Sequence, residues 1–161
     1  MTLLLRNLLF TVVVPGTVAV YVPLLIARGR SITSTPLFSA GGAILVAAGA
    51  VIYAWCLWNF ASFGRGTPLP MDAPKRLVIR GLYRYTRNPM YLGVIIAVLG
   101  WAAGFASTAL LGYGAFVALI CHAFVVLYEE PRLHELFGAQ YDGYRMQVGR
   151  WLPRGPRSPA A

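Results

Sequence analysis

The feature that most constrains this chain is a set of four long apolar stretches. They run from about 7 to 27, 37 to 63, 89 to 105 and 108 to 128. A helix needs roughly 20 residues to cross a bilayer, so only the third stretch is short. Because 58% of the 161 residues are hydrophobic and 12% are charged, one water-soluble core cannot bury this apolar surface. Lipid must cover the excess, which excludes a soluble enzyme, a disulfide-stapled secreted domain and a disordered tail.

Local signals predict how the four stretches bend and pack. Only the uncharged residues 104–107 separate the third and fourth stretches, which predicts a helical hairpin that crosses and returns. A re-entrant arm that does not cross is the alternative for the short third stretch. Pro15 and Pro23 predict kinks in the first stretch. The second stretch has small residues that either form a packing face or only make the helix rich in alanine. These are Gly42, Ala43, Ala47, Ala50 and Ala54.

The basic residues lie unevenly around the four stretches. If all four cross, twelve of the 14 Lys and Arg residues lie on one side, and only Arg28 and Arg30 lie on the other. The positive-inside rule then predicts both termini in the cytosol, and we expect a bacterial inner membrane. Anionic headgroups explain the net charge of +9, and no basic face with interleaved aromatic residues occurs, so nucleic-acid binding is not expected.

These observations predict an all-α integral membrane bundle of about four transmembrane helices with a C-terminal interfacial helix. We expect a single membrane domain over 1–161, with two spans in 1–63, a core with the hairpin and cytosolic segments in 64–154, and a tail in 155–161. The interfacial helix is predicted from aromatic residues spaced at i, i+4 and i+7, and it can roof a cavity formed by the hairpin. These residues are Phe137, Tyr141 and Tyr144.

Tyrosine and arginine residues are concentrated just before the third stretch and at its start. Three tyrosines and three arginines lie within the twelve positions 80–91. Asn88 and Pro89 are typical of the cap and the first position of a helix, so the segment can be a well-formed helix start. Guanidinium groups beside a helix N-terminus also suit a carboxylate ligand, which is the functional interpretation.

Two adjacent carboxylates, Glu129 and Glu130, end the fourth stretch. The predicted hairpin returns them to the start of the third stretch, where an acidic pair beside a basic helix start can hold a zwitterion. The alternative is a pair of interfacial glutamates in surface ion pairs. His122 lies seven residues before Glu129 on the same face of a regular helix, where it contacts either a ligand or a neighbouring carbonyl. The histidines and cysteines show no metal-ligand spacing, so no metal is expected.

In this order, the features resemble the isoprenylcysteine carboxyl methyltransferase and phospholipid methyltransferase group of small integral-membrane enzymes. The resemblance covers roughly 75–154, about half of the chain. The motifs that carry it are Leu77-Val78, Gly81-Leu82-Tyr83, Arg87-Asn88-Pro89-Met90-Tyr91-Leu92-Gly93, Glu129-Glu130, Phe137-Gly138 with Tyr141 and Tyr144, and Arg150-Trp151-Leu152-Pro153.

The resemblance implies S-adenosylmethionine as the methyl donor and a membrane lipid or lipidated molecule as the acceptor. The donor would bind at the cytosolic mouth of the hairpin. The residues that the resemblance assigns to the donor site are Lys75, Leu77, Val78, Tyr83, Arg87, Asn88, Pro89, Tyr91, Glu129 and Glu130. Glu130 is also the candidate catalytic base if the acceptor is an amine.

Two positions depart from the pattern of these families. Asn88 stands where they usually carry histidine, and an amide can bond the donor but cannot titrate near neutral pH. Val125 stands where the prenylcysteine enzymes carry an arginine implicated in holding the substrate carboxylate, which argues against prenylcysteine itself. Three alternatives stay open: a phospholipid amine N-methyltransferase, an NADPH-dependent enzyme like the sterol reductases, and a non-catalytic membrane adaptor.

Overall fold

A computed structural model of the protein describes residues 3–28, 35–64 and 76–152. These ranges are built from helices, and they contain no β-strand beyond an isolated bridge between Thr86 and Gly149. The α-helices are α1 (Leu3–Val13), α2 (Val22–Ala27), α3 (Pro36–Asn59), α4 (Pro89–Gly104), α5 (Thr108–Phe124), α6 (Glu130–Phe137) and α7 (Ala139–Gln147). Wide π-helical turns occupy Thr17–Tyr21, Phe60–Gly64 and Val125–Glu129, and a 3₁₀ turn occupies Gly81–Arg84. The predicted all-α membrane bundle is confirmed.

All four predicted apolar stretches form helices. Among the residues that the structure describes, three helical segments are long and apolar enough to cross a membrane, namely Leu8–Ala27, Pro36–Ser62 and Thr108–Phe137. Helix α4 is equally apolar but has only 16 residues. At 1.5 Å per residue it is about 24 Å long, somewhat less than the roughly 30 Å of hydrocarbon in a bilayer. Complete crossing by α4 therefore stays a prediction.

The first span departs from regular α-helix near its prolines, and other helices compensate. Pro23 has no N–H, so the carbonyl of Ala19, four residues earlier, lacks its usual donor. The indole Nε1 of Trp101 donates to that carbonyl over 2.8 Å. The hydroxyl of Tyr113 donates to the neighbouring carbonyl of Val18 over 2.9 Å. Side chains of α4 and α5 thus satisfy carbonyls that would be costly to leave unpaired in lipid.

Helices α3 and α4 pack with their backbones almost in contact. Gly42 and Gly49 of α3 are buried. A Cβ atom at Gly49 would lie 2.4 Å from the carbonyl oxygen of Gly93, and one at Gly42 would lie 2.4 Å from the backbone nitrogen of Gly104. Because these glycines have no side chains, the two helices approach more closely than larger residues would allow.

The packing face predicted for the second span is only partly correct. Gly42 does contact α4, but the predicted alanines are exposed; they are Ala43, Ala47, Ala50 and Ala54. The observed face instead joins Gly42 to Gly49, and seven residues make almost two complete helical turns. Small size alone therefore did not identify the contact, since the helix carries small residues on more than one side.

The α4–α5 hairpin has the short turn that the sequence predicts. Helix α4 ends at Gly104, and α5 begins at Thr108. The hydroxyl of Ser107 caps α5 by accepting a hydrogen bond from the backbone N–H of Leu110 over 3.3 Å. The reversal returns the end of α5 to the level of the start of α4.

The predicted aromatic helix after the hairpin occurs as two helices. The break between α6 and α7 lies at Gly138, whose φ of 47° is in the left-handed region that favours glycine. Tyr141 and Tyr144 are buried together with Val148, and Phe137 packs against them. The aromatic side chains of α6 and α7 therefore pack against the rest of the protein and do not face solvent.

We expect Gly49→Ala to lower thermal stability, because the added methyl group overlaps the backbone of α4. Overpacking of this kind costs about 1–3 kcal/mol. Gly41→Ala is the matched control, since the same change in the same helix meets no atom within 4 Å. Thermal unfolding in detergent measures both variants. Equal stability of the two would contradict the close approach of α3 and α4.

Candidate active site

The entrance to α4 and the exit of α5 meet at one end of the hairpin. Tyr91 lies in the first turn of α4, and Glu129 is the last residue of the π-helical turn that follows α5. The Tyr91 hydroxyl donates to Oε2 of Glu129 over 2.8 Å. The ring of Phe124 packs edge-on against Tyr91, with centroids 6.5 Å apart. The predicted proximity of the two helix ends is confirmed.

Glu130 is the centre of an ion-pair network. Arg150 donates to both of its oxygens, from Nε over 2.7 Å and from Nη2 over 2.9 Å. Nη1 of Arg87 lies 3.1 Å from Oε1 of the same carboxylate, and the Arg87 and Glu130 side chains are only 11% and 15% exposed. Two guanidinium groups stabilise the charged form of a carboxylate and weaken it as a base. This arrangement favours Glu130 as a support for Arg87 over Glu130 as a proton acceptor.

Helix α7 also holds the Arg87 guanidinium, at the same nitrogen that faces Glu130. Nη1 of Arg87 donates to the hydroxyl of Tyr141 over 3.0 Å. Its Nε atom is buried and has no hydrogen-bond partner within the described parts of the chain. A buried donor left unpaired costs about 1–3 kcal/mol, so this atom marks a place where an acceptor group of a ligand would be stabilising.

Asn88 precedes α4 as predicted, but its side chain does not cap the helix. Its Nδ2 donates instead to the backbone carbonyl of Arg150 over 3.0 Å, and the Thr86 hydroxyl donates to the same carbonyl over 3.1 Å. The backbone N–H of Arg87 donates to the carbonyl of Gly149 over 2.9 Å. The amide is directed away from the first turn because a carbonyl from the C-terminal segment lies within its reach.

The loop before α4 forms a packed base for the site. Val78 and Tyr83 are buried in one cluster with Cys56 of α3, whereas Leu77 packs against the cluster around Tyr141. The hydroxyl of Tyr144 donates to the backbone carbonyl of Tyr83 over 2.7 Å. These side chains support the site through packing.

Burial also fixes the protonation of the tyrosines around this loop. It raises the pKa values of Tyr83, Tyr141 and Tyr144 above the usual range of a phenol. Their hydroxyls therefore remain protonated at neutral pH, and the Tyr144 hydroxyl stays a donor to the loop.

Three of the predicted residues, Pro89, Lys75 and His122, lie outside the contacts described so far. Pro89 is buried at the first position of α4, as expected for a helix start. Lys75 lies outside the described residues. His122 is exposed and accepts a hydrogen bond from Nε1 of Trp151 over 3.0 Å, whereas Glu129 contacts Tyr91. A regular helix would place His122 and Glu129 on the same face, but in the structure the two side chains have different partners.

Arg150 is the site residue that was missing from the predicted donor set. Arg150 belongs to the motif Arg150-Trp151-Leu152-Pro153, which is part of the family resemblance. The motif does not predict which residue Arg150 contacts. Its partner Glu130 is 20 residues earlier, across the break at Gly138. No local spacing rule connects two residues on either side of such a break.

We expect Tyr144→Phe to destabilise the loop before α4, because the buried carbonyl of Tyr83 would lose its donor. Removing one such hydrogen bond costs about 1 kcal/mol. Tyr85→Phe is the control, since Tyr85 lies in the same segment with its side chain half exposed. Thermal unfolding compares the two variants with wild type. A loss in Tyr85→Phe as large as in Tyr144→Phe would contradict the assigned role.

Comparison with known families identifies the class to which this fold and site belong. A family model described as phospholipid methyltransferase matches residues 37–140. The match includes the entrance to α4 with Arg87 and Tyr91, as well as Glu129 and Glu130. The chain belongs to the phospholipid methyltransferase family.

Two curated relatives are similar to this chain in sequence. Methanethiol S-methyltransferase 1 of Bradyrhizobium diazoefficiens is 34% identical over 80 residues, which cover 50% of this chain and 27% of the relative. Methanethiol S-methyltransferase of Pseudomonas deceptionensis is 29% identical over 144 residues, which cover 83% of this chain and 49% of the relative. The chain thus matches half or less of the length of these relatives. No solved structure gives a significant match.

Proposed function

We propose that this chain binds S-adenosylmethionine where α4 meets the end of α5 and transfers its methyl group to an acceptor that reaches the site from the membrane. The observation that carries the proposal is the 2.8 Å hydrogen bond between Tyr91 and Glu129. In a chain of a methyltransferase family, this bond joins a basic helix entrance to an acidic helix exit. One small zwitterion can contact both.

The residues at this point fit the charges of the donor. Arg87 offers a buried, unpaired Nε to a carboxylate, and the N-terminus of α4, which begins two residues later, also favours an anion. Glu129 offers a carboxylate to an amino group. The other residues that the resemblance assigns to the donor are Leu77, Val78, Tyr83, Asn88, Pro89, Tyr91 and Glu130, with Lys75 outside the described residues.

When bound, S-adenosylmethionine supplies a methyl group that its sulfonium charge makes electrophilic. The chain has to align an acceptor with that methyl group and keep water away. Alignment in a desolvated site contributes on the order of 7–11 kcal/mol to a reaction of this kind. The contact of Tyr141 in α7 with Arg87 just before α4 supports shielding of the site from water.

A thiol is the acceptor class that we place first, because both curated relatives are named for methanethiol. The thiolate is the nucleophile, so a thiol acceptor must lose its proton. Glu130 is poorly suited to accept that proton, because two arginines already bind it, and Glu129 is assigned to the amino group of the donor. We therefore propose that the proton leaves to water. An acceptor amine would need the same proton transfer.

A phospholipid amine is the second acceptor class, favoured by the description of the family. A prenylcysteine carboxylate is disfavoured, because Val125 is fully buried where the resemblance would require an arginine. The donor site faces the cytosol if the predicted orientation, with both termini in the cytosol of a bacterial cell, is correct. A lipid or a small apolar thiol can reach the site laterally through the bilayer.

We expect Glu129→Ala to bind S-adenosylhomocysteine at least about tenfold more weakly than wild type, since a lost charge-assisted hydrogen bond of about 1.5–3 kcal/mol corresponds to such a factor. Isothermal titration calorimetry in detergent measures the affinity. Glu135→Ala, an exposed glutamate of α6, is the matched control and should bind like wild type. Unchanged affinity of Glu129→Ala would reject the donor site. If NADPH raises the melting temperature of the protein and S-adenosylhomocysteine does not, the alternative of an NADPH-dependent reductase is favoured.

We expect the reconstituted protein to form S-adenosylhomocysteine and dimethyl sulfide in equal amounts when it receives S-adenosylmethionine and methanethiol. Mass spectrometry identifies the methylated product, and protein with Glu129→Ala serves as the negative control. Lipid vesicles containing phosphatidylethanolamine, assayed without thiol, test the second acceptor class. Methylation of the lipid but not of the thiol would reverse the order of the two classes.

A further inference from the structure

The four residues after α7, which we call the C-terminal strap (Val148–Trp151), return into the candidate active site. The carbonyl of Gly149 accepts the backbone N–H of Arg87, and the carbonyl of Arg150 accepts Asn88 Nδ2 and the Thr86 hydroxyl. The strap thereby contacts three consecutive residues immediately before α4. It holds the backbone from which Arg87 and Asn88 extend.

The side chain of Arg150 makes a second, independent contact with the site. Its guanidinium binds both oxygens of Glu130 in a fork, and Oε1 of that carboxylate is shared with Arg87. Fork geometry fixes direction as well as distance, which a single point charge does not. The position of the Glu130 carboxylate, and through it the position of Arg87, therefore depends on Arg150.

The far end of the strap is fixed to α5. Nε1 of Trp151 donates to Nδ1 of His122 over 3.0 Å, and the two rings lie 6.1 Å apart. This contact gives His122 a structural partner outside the donor site. The strap is thus attached to the entrance of α4, to the start of α6 and to the outer face of α5.

We propose that Arg150 is a positioning residue of the donor site, which acts through Glu130 to hold Arg87 with its Nε free for the donor. The inference rests on the proposed function and adds a residue to it. Arg150 lies beyond the segment 37–140 that the family model matches, and the resemblance does not assign it to the donor, so its role is argued from the contacts. Tyr141 also binds Nη1 of Arg87, so removal of Arg150 releases one of two restraints.

Loss of the Arg150 side chain should be compatible with folding. The side chain is 35% exposed, so water can reach the Glu130 carboxylate once the guanidinium is gone. Arg87 remains available to neutralise Glu130. The expected defect is therefore in the orientation of Arg87 and not in the assembly of the bundle.

The test is the affinity of the purified full chain for S-adenosylhomocysteine, measured by calorimetry together with the melting temperature of the ligand-free protein. We expect Arg150→Ala to bind about tenfold more weakly, and Arg150→Lys to fall between Ala and wild type because lysine restores the charge without the fork. Arg132→Ala, which removes an exposed arginine paired with Glu135, should bind like wild type.

A double-mutant cycle separates positioning from a merely structural role. If Arg150 acts through Glu130, Arg150→Ala causes no further loss of affinity in a Glu130→Gln background. Additive losses, or a lower melting temperature with unchanged affinity, would overturn the inference. Should Arg150→Ala fail to fold, Arg150→Lys decides, and wild-type affinity of that variant would also overturn it. Absence of binding by wild type would reject the proposed function itself.

Discussion

A largely buried carboxylate has to be paired with cations, and at Glu130 this requirement joins three distant parts of the chain. Arg150 reaches it from the C-terminal strap, and Arg87 reaches it from the loop before α4. Glu130 itself begins α6, immediately after the wide turn that ends the hairpin. Removing one member of such a network costs more than a surface ion pair, because the remaining charges are partly shielded from water. The geometry of the candidate active site depends on this one network.

Polar groups inside the membrane also need partners, but there the groups are backbone carbonyls that need hydrogen-bond donors, and not charged side chains. Trp101 and Tyr113 donate to the two carbonyls near Pro23, so the first span is joined to the hairpin by hydrogen bonds as well as by apolar contact. On the other side, the glycines of α3 and α4 let two backbones approach closely. The hairpin is thus held between the two N-terminal spans, and its mouth is left at one end of the bundle.

The proposed donor and acceptor sites would place different demands on this architecture. The donor is a water-soluble zwitterion, and its proposed contacts lie where polar residues of three segments converge on α4. In the proposed reaction the acceptor would reach the same point from the apolar side, where Val125 stands in place of the arginine that the resemblance to the prenylcysteine enzymes implies. In the proposal above, a small thiol as the acceptor would need no anchoring group of its own. Differences among acceptors in this family would then arise from the membrane-facing side of the pocket.

The sequence by itself determined the class of the protein and the two helix ends that form the site. Apolar length, the short uncharged link 104–107 and the tyrosine- and arginine-rich start of α4 are local properties, and they predict helices and a hairpin. The tertiary structure decided the pairings: which face of α3 is buried, that Asn88 bonds Arg150 and not its own helix, and that Glu130 is bound by Arg150. It also separated His122 from Glu129, because a wide turn between them shifts the helical register by about one residue, or roughly 100°. These outcomes depend on contacts between residues far apart in sequence and on irregular turns, neither of which a regular helical period contains.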